Sequence, residues 1–333
     1  MFDFDVIPGP AVHEILSADR GAVLDLVRRT YLRHEAGESV NPDSYFLRFP
    51  EKPEARIIAL PAFLGADVQL AGIKWIASFP RNVEHGVPRA AAVLVLNDYR
   101  TGYPIACLEA ATISSARTAA SAAVAATALR PAGFAGTRIG VVGAGVIARE
   151  ICAYLRAARC DPDEFLVYDV HAASAAALAD HLRQRLDSKA SVVSTMDDIH
   201  QADMVVLATT AAAPYVTERF RPGQVVLNIS LRDIAPEVVL DAANILDDVD
   251  HCLKANTSPH LAEQLTGNRD FVTGTLAGVL TGAVAVPADR PVIFSPFGLG
   301  VLDIAVGAHV HQRARERGTA VAIPDFFAET RRW

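Results

Sequence analysis

The stretch Arg138-Ile-Gly-Val-Val-Gly-Ala-Gly-Val-Ile-Ala148 constrains this chain more than any other. A short apolar run enters a G-x-G-x-x-A turn and passes into a pattern of helical period. Each position answers a physical demand. Gly143 permits the tight turn, Gly145 lets the backbone approach a pyrophosphate, and Ala148 lets a helix pack closely on the strand. The helix start at Val146 and Ile147 offers free N–H groups to the anion. Alone the triplet is weak evidence, but a second strand-like run ends in Leu166-Val-Tyr-Asp169. A carboxylate there accepts hydrogen bonds from ribose hydroxyls and repels a 2′-phosphate, so NAD is expected rather than NADP. The competing reading is a glycine turn that only packs a helix beside a surface aspartate.

From that turn onward strands and helices alternate. Strand patterns fall at 138–143, 165–170, 203–208, 224–229 and 244–246, with helical ones at 146–159 and 174–186. This rhythm predicts a parallel, doubly wound sheet. Ligands of such sheets sit beyond the carboxyl ends of the strands, where Thr209, Thr210, Asn228 and Ser230 lie. These residues either line the nicotinamide side of the cofactor or form ordinary strand-end turns.

The first third reads differently. A helical pattern at 23–35 is followed by short β-type runs at 44–49, 56–60, 71–79 and 90–97, with no helix between them. That spacing predicts an antiparallel sheet. Residues 112–129 are Ala-rich without an internal Gly or Pro, a strong helix. A last helix at 302–317 lies beyond the parallel sheet and can return to the first domain. The expected fold is therefore α/β. A Rossmann-type doubly wound domain at 128–301 is joined to a discontinuous α+β domain, 1–127 with 302–333, for substrate binding and dimerisation.

Composition limits the partners. The 333 residues suit two domains, and 51% hydrophobic with 21% charged residues is a globular profile. The formal net charge of −7, without a Lys/Arg run, argues against nucleic acid or an anionic membrane. A small acidic substrate needs only a few basic groups in a pocket. Cys107, Cys152, Cys160 and Cys252 form neither a C-x-x-C pair nor a Cys/His cluster, so reduced thiols and no metal site are expected. With no basic-then-apolar leader at the N-terminus and no run of eighteen apolar residues, a cytoplasmic protein is expected.

Three cations stand in unusual company: Arg48 among aromatic residues, Lys74 within an apolar strand, and Arg117 among Ala, Ser and Thr near a helix start. Each is either a salt-bridged or snorkelling residue or a ligand for an anion. Their spacing leaves open whether they converge.

The ordered set Gly-Ile-Lys74-Trp, Asn97-Asp-Tyr-x-Thr-Gly-Tyr-Pro, Ser-Ala-Arg117-Thr-Ala-Ala and Gly143-x-Gly-x-x-Ala resembles the ornithine cyclodeaminase/μ-crystallin family over essentially the whole chain. Residues 41–50 and 74–80 look most like the siderophore-type dehydrogenases of 2,3-diaminopropionate biosynthesis. The resemblance implies NAD-dependent oxidation of N-(2-amino-2-carboxyethyl)-L-glutamate, releasing 2-oxoglutarate and 2,3-diaminopropionate. It also implies that Arg48, Lys74 and Arg117 hold the substrate α-carboxylate, that Asp233 activates water, and that the chain is a homodimer. Lys74 or Asp233 would take the first proton. Ile234-Ala-Pro-Glu237 departs from the run that follows this Asp in the cyclodeaminases, which speaks against ornithine cyclisation. Rival readings are a lyase using NAD catalytically, an alanine dehydrogenase or ketimine reductase, and a binding protein without turnover. A substrate with three carboxylates needs further cations, for which Arg81, Arg89 and Arg232 are candidates.

Overall fold

The computed structural model describes residues 3–328. The chain opens with β1 (Asp5–Ile7), α1 (Gly9–Ala18) and α2 (Arg20–Glu35). Sequence patterning overlooked α1 because Gly9 and Pro10 read as breakers. Proline in the first helical turn costs no hydrogen bond, since its N–H would have no partner there. Then come β2 (Ser39–Val40), β3 (Tyr45–Phe49), β4 (Lys52–Leu64), β5 (Leu70–Ser78), β6 (Ala90–Asp98) and β7 (Pro104–Glu109). Strands β3 to β7 pair antiparallel in succession, as the run spacing predicts for β3 to β6; β7 lies outside the predicted runs. The exception is β1, which lies parallel to β7. Next stands α3 (Ala111–Leu129), with the Glu109 carboxylate accepting from the Ala111 N–H at 2.6 Å. Its alanines at 119, 120, 122, 123, 125 and 126 are fully buried, so neighbours approach it closely.

The alternating half contains β8 (Arg138–Val142), α4 (Val146–Ala157), β9 (Glu164–Tyr168), α5 (Ala172–Arg185), β10 (Ala190–Val192), α6 (Met196–His200), β11 (Met204–Leu207) and β12 (Val225–Asn228). It continues through α7 (Pro236–Leu240), β13 (Ala243–Leu246), α8 (Val249–Cys252), α9 (Ser258–Thr266), β14 (Val272–Thr275), α10 (Leu276–Thr281) and β15 (Val292–Ser295). The strand order is β10-β9-β8-β11-β12-β15-β13-β14, and every described pair is parallel. β11, β12, β13 and β15 are buried at every residue, the mark of a sheet covered on both faces. The order reverses between β8 and β11, which makes their carboxyl ends the ligand-binding crevice of such a sheet.

The chain then returns with α11 (Gly300–Glu316) and β16 (Val321–Ala322), which pairs antiparallel with β1. Helix α11 packs on β4, β5, β6 and α2. Gly307 makes that approach possible, because a Cβ there would lie 2.2 Å from the Leu94 side chain. Contacts divide the chain into two compact units, one reaching Arg117 and resuming at Leu299, the other Thr118–Gly298. The division falls inside α3 rather than near 127, since an unbroken helix carries no Pro/Gly linker signal.

Directly paired residues share a sheet face. Leu60, Lys74 and Leu94 are paired across β4, β5 and β6 on the face covered by α11. Tyr45, Ala59, Trp75 and Val93 line the opposite face. There Tyr45 is 70% exposed, Trp75 41% and Val93 42%, an apolar strip left open to water.

Candidate functional site

In the unit Thr118–Gly298 the turn after β8 has the shape a dinucleotide requires. Gly143 has φ +89°, and a Cβ there would lie 2.6 Å from the Ala208 carbonyl oxygen, so only glycine fits. Gly145 is the residue before α4 and offers no side-chain cap, which leaves the first N–H groups of the helix for an incoming anion. No atom lies within 4 Å of a Cβ built at Gly145, so the space beside the helix start is open. Ala148 is fully buried and Val146 exposed; Ile147 is half-buried.

Asp169 follows β9 and braces this turn. Its Oδ2 accepts the Ala144 N–H at 2.7 Å and its Oδ1 accepts the His171 N–H at 2.8 Å. Each oxygen keeps a lone pair for a ribose hydroxyl. The residues present therefore fit a dinucleotide: N–H groups and open space for its pyrophosphate, a carboxylate for its ribose.

The neighbouring strand ends gather around Asp233. The Thr209 N–H donates to Ser230 Oγ at 2.6 Å, and the Thr209 hydroxyl to Asp233 Oδ2 at 2.8 Å. Tyr215, which sequence reasoning missed, donates its phenol hydroxyl to the same oxygen at 3.0 Å. No signal singled out that tyrosine, because its partner stands 18 residues away. Asp233 is wholly buried, and burial raises its pKa above the usual carboxylate range, opposed first by the Thr209 hydrogen bond. Asn228 donates to Ser295 Oγ at 3.1 Å, while Thr210 is exposed.

The other unit holds a buried cluster built from three elements. Lys74 from β5 is 1% exposed, and its Nζ lies 2.7 Å from Asp303 Oδ2 on α11. Arg117 on α3 donates Nε–H to Asp303 Oδ1 at 3.1 Å. One helical turn before Arg117, the Ser114 hydroxyl accepts from Lys74 Nζ at 3.1 Å. Two cations thus share one carboxylate away from water. Burial first, and the Arg117 charge next, bring the Lys74 pKa down to about 8. Asp303 and Ser114 were missed. Asp303 carried a faint signal, a carboxylate inside the apolar run Val301-Leu-Asp-Ile-Ala305.

Arg48 lies elsewhere. It is exposed, with its guanidinium 5.3 Å above the Phe46 ring. In register it stands opposite Arg56, which stands opposite Ser78, four residues along β5 from Lys74. Among the other basic candidates, Arg81 is 72% exposed and 3.6 Å from Glu84. Arg232 donates to the Ala255 carbonyl at 3.1 Å, and Arg89 to Ser78 Oγ at 2.7 Å. All four cysteines are free. Among the described residues no cluster of His, Cys, Asp and Glu is placed to hold a metal ion, and no helix is long and apolar enough to cross a membrane.

A parallel sheet with a glycine turn at its switch point makes the second unit a Rossmann-type α/β fold. The chain belongs to the ornithine cyclodeaminase/mu-crystallin family, whose model matches residues 11–318. One relative is the N-((2S)-2-amino-2-carboxyethyl)-L-glutamate dehydrogenase of Staphylococcus aureus. It is 26% identical over 313 residues, covering 90% of this chain and 92% of the relative. Two solved structures share the fold. Thermococcus litoralis Delta(1)-pyrroline-2-carboxylate reductase, in complex with NADH and L-proline, has a TM-score of 0.86 at 21% identity, over 96% of this chain and 100% of that one. An archaeal alanine dehydrogenase dimer with bound NAD has a TM-score of 0.85 at 23% identity, over 98% and 100%.

Proposed function

We propose that this chain is an NAD-dependent dehydrogenase of an amino-acid C–H/N–H centre whose substrate is N-((2S)-2-amino-2-carboxyethyl)-L-glutamate. The buried cluster of Lys74, Arg117 and Asp303 carries the reading, because its Lys and Arg donors suit a substrate α-carboxylate. The Staphylococcus relative supports the particular substrate. Gly143, Gly145 and the start of α4 hold the pyrophosphate, and Asp169 holds the ribose and selects against NADP. When bound, NAD supplies the hydride acceptor.

The chain's own residues do the rest. Lys74 and Arg117 fix the carboxylate and so orient the C–H bond to be broken. Hydride leaves that carbon only when the attached amine is neutral, so a base must first take its proton. Lys74, neutral above about pH 8, or Asp233, made more basic by burial, takes it. Asp233, ionised once any first proton has passed to solvent, then withdraws a proton from the water that adds to the substrate imine. The overall reaction consumes substrate, NAD and water, and gives 2-oxoglutarate, 2,3-diaminopropionate, NADH and a proton. We further propose a cytoplasmic homodimer in which the strip of Tyr45, Leu47, Trp75 and Val93 meets a second copy. Light scattering that reads a monomer at micromolar concentration removes that pairing.

The direct test incubates the protein with NAD and the glutamate conjugate, follows NADH by absorbance, and weighs the products. NADH with 2-oxoglutarate is the expected result. Proline formed from ornithine without net NADH would instead place the chain with the cyclodeaminases, and ligand binding without any product would make it a binding protein.

A pH profile tests Lys74. Its folded pKa lies below its ordinary value of 10.5, so the amine loses its proton as pH rises through about 8. If it is the base, kcat/KM for oxidation rises through that pH, and Lys74→Arg abolishes the rise. A profile of unchanged shape in the variant would assign the base to Asp233.

A further inference from the structure

Arg89 differs from the arginines of this chain that face a carboxylate. Arg33 faces Asp67 at 2.6 Å and Arg219 faces Asp241 at 2.6 Å. Arg89 is half-buried, and no carboxylate pairs with it among the described residues; its guanidinium donates only to Ser78 Oγ, at 2.7 Å. A guanidinium drawn out of water without an anion is unfavourable, as its burial-lowered pKa reflects. Ser78 itself is 7% exposed and cannot neutralise the charge.

The place of this orphan charge gives it a use. Lys74 and Ser78 are four residues apart on β5, so both lie on the sheet face covered by α11. At about 3.3 Å per residue their backbones are roughly 13 Å apart. A first anion locus at Lys74 and Arg117 is followed along the same strand face by a second at Ser78 and Arg89. A small monocarboxylic amino acid fills the first locus only, whereas an extended substrate with a second carboxylate reaches both.

We infer that Arg89, seated by Ser78, binds the side-chain carboxylate of the substrate's glutamate half and so selects dicarboxylic over monocarboxylic substrates. The inference rests on the proposed function for the identity of the substrate, but the site can be tested without turnover. Titrate NADH-loaded protein with 2-oxoglutarate and with 2-oxopentanoate, the same chain without the second carboxylate, and read affinity by calorimetry. The natural protein should prefer 2-oxoglutarate. Losing a charge-assisted hydrogen bond in Arg89→Met should weaken 2-oxoglutarate by about tenfold or more, and leave 2-oxopentanoate unchanged. Arg89→Lys, which keeps the charge without the planar fork, should recover part of the loss. If Arg89→Met does not fold, Arg89→Lys and Ser78→Ala carry the comparison by the same readout.

Equal weakening of both ligands, or of neither, overturns the inference. Discrimination that Arg89→Met abolishes, in a protein that does not oxidise the glutamate conjugate, keeps the second anion locus and removes the substrate assignment. Oxidation of the conjugate with a KM untouched by Arg89→Met does the opposite.

Discussion

Replacing Asp303 with alanine is expected to destabilise the unit that carries it by about 3–5 kcal/mol, because removing one partner strands buried charge. Here two cations lose a shared carboxylate, since Lys74 lies 2.7 Å and Arg117 3.1 Å from its oxygens. At a few degrees per kcal/mol the unfolding temperature should fall on the order of 10 °C, read by scanning calorimetry. An unchanged transition would mean that the cluster opens to water in solution. Lys74→Met combined with Asp303→Leu should recover part of the stability, as a buried ion pair exchanged for apolar groups often does. It should recover no activity, which separates the stability of the cluster from its use.

Asp233→Asn is expected to lower kcat by roughly a hundredfold to ten-thousandfold, the usual worth of a positioned acid–base group. The amide oxygen still accepts from Thr209 and Tyr215, and the volume is preserved. Only the ability to take a proton is lost. NAD affinity should change little, because the Gly143 turn and Asp169 are untouched, and stopped-flow NADH binding measures this. A variant with natural turnover would remove Asp233 from the chemistry. Tyr215→Phe is the companion experiment, since its hydroxyl shares the same carboxylate oxygen.

The turn at Gly143 was legible because its demands are local. A positive φ, a close carbonyl and a buried Ala148 are all met within a few residues, and each permits few side chains. The clusters were legible in half. Lys74 and Arg117 announced themselves as cations in apolar surroundings. Asp303 reaches Arg117 across 186 residues of chain, and no spacing rule spans that distance. Arg48 shows the reverse case: only the family resemblance set it with Lys74 and Arg117, while the register of β3 places it beside Arg56 and in the open. The fold followed the same division. Long periodic helices such as α3 read plainly, whereas β14 and β15 are four-residue strands whose sheet order depends on partners elsewhere in the chain.

The discontinuity of the first unit bears on how the protein comes into being. Residues Thr118–Gly298 leave the ribosome as one block and can pack as they emerge. The earlier unit cannot be completed then, because α11 and β16 have yet to be made. At about 5–20 residues per second, Lys74 and Arg117 wait on the order of ten seconds or more for Asp303. During that time neither has its native counter-charge, which favours leaving both in water. The unit made second is thus the first that can be completed, and the cluster of Lys74, Arg117 and Asp303 is set only once α11 arrives.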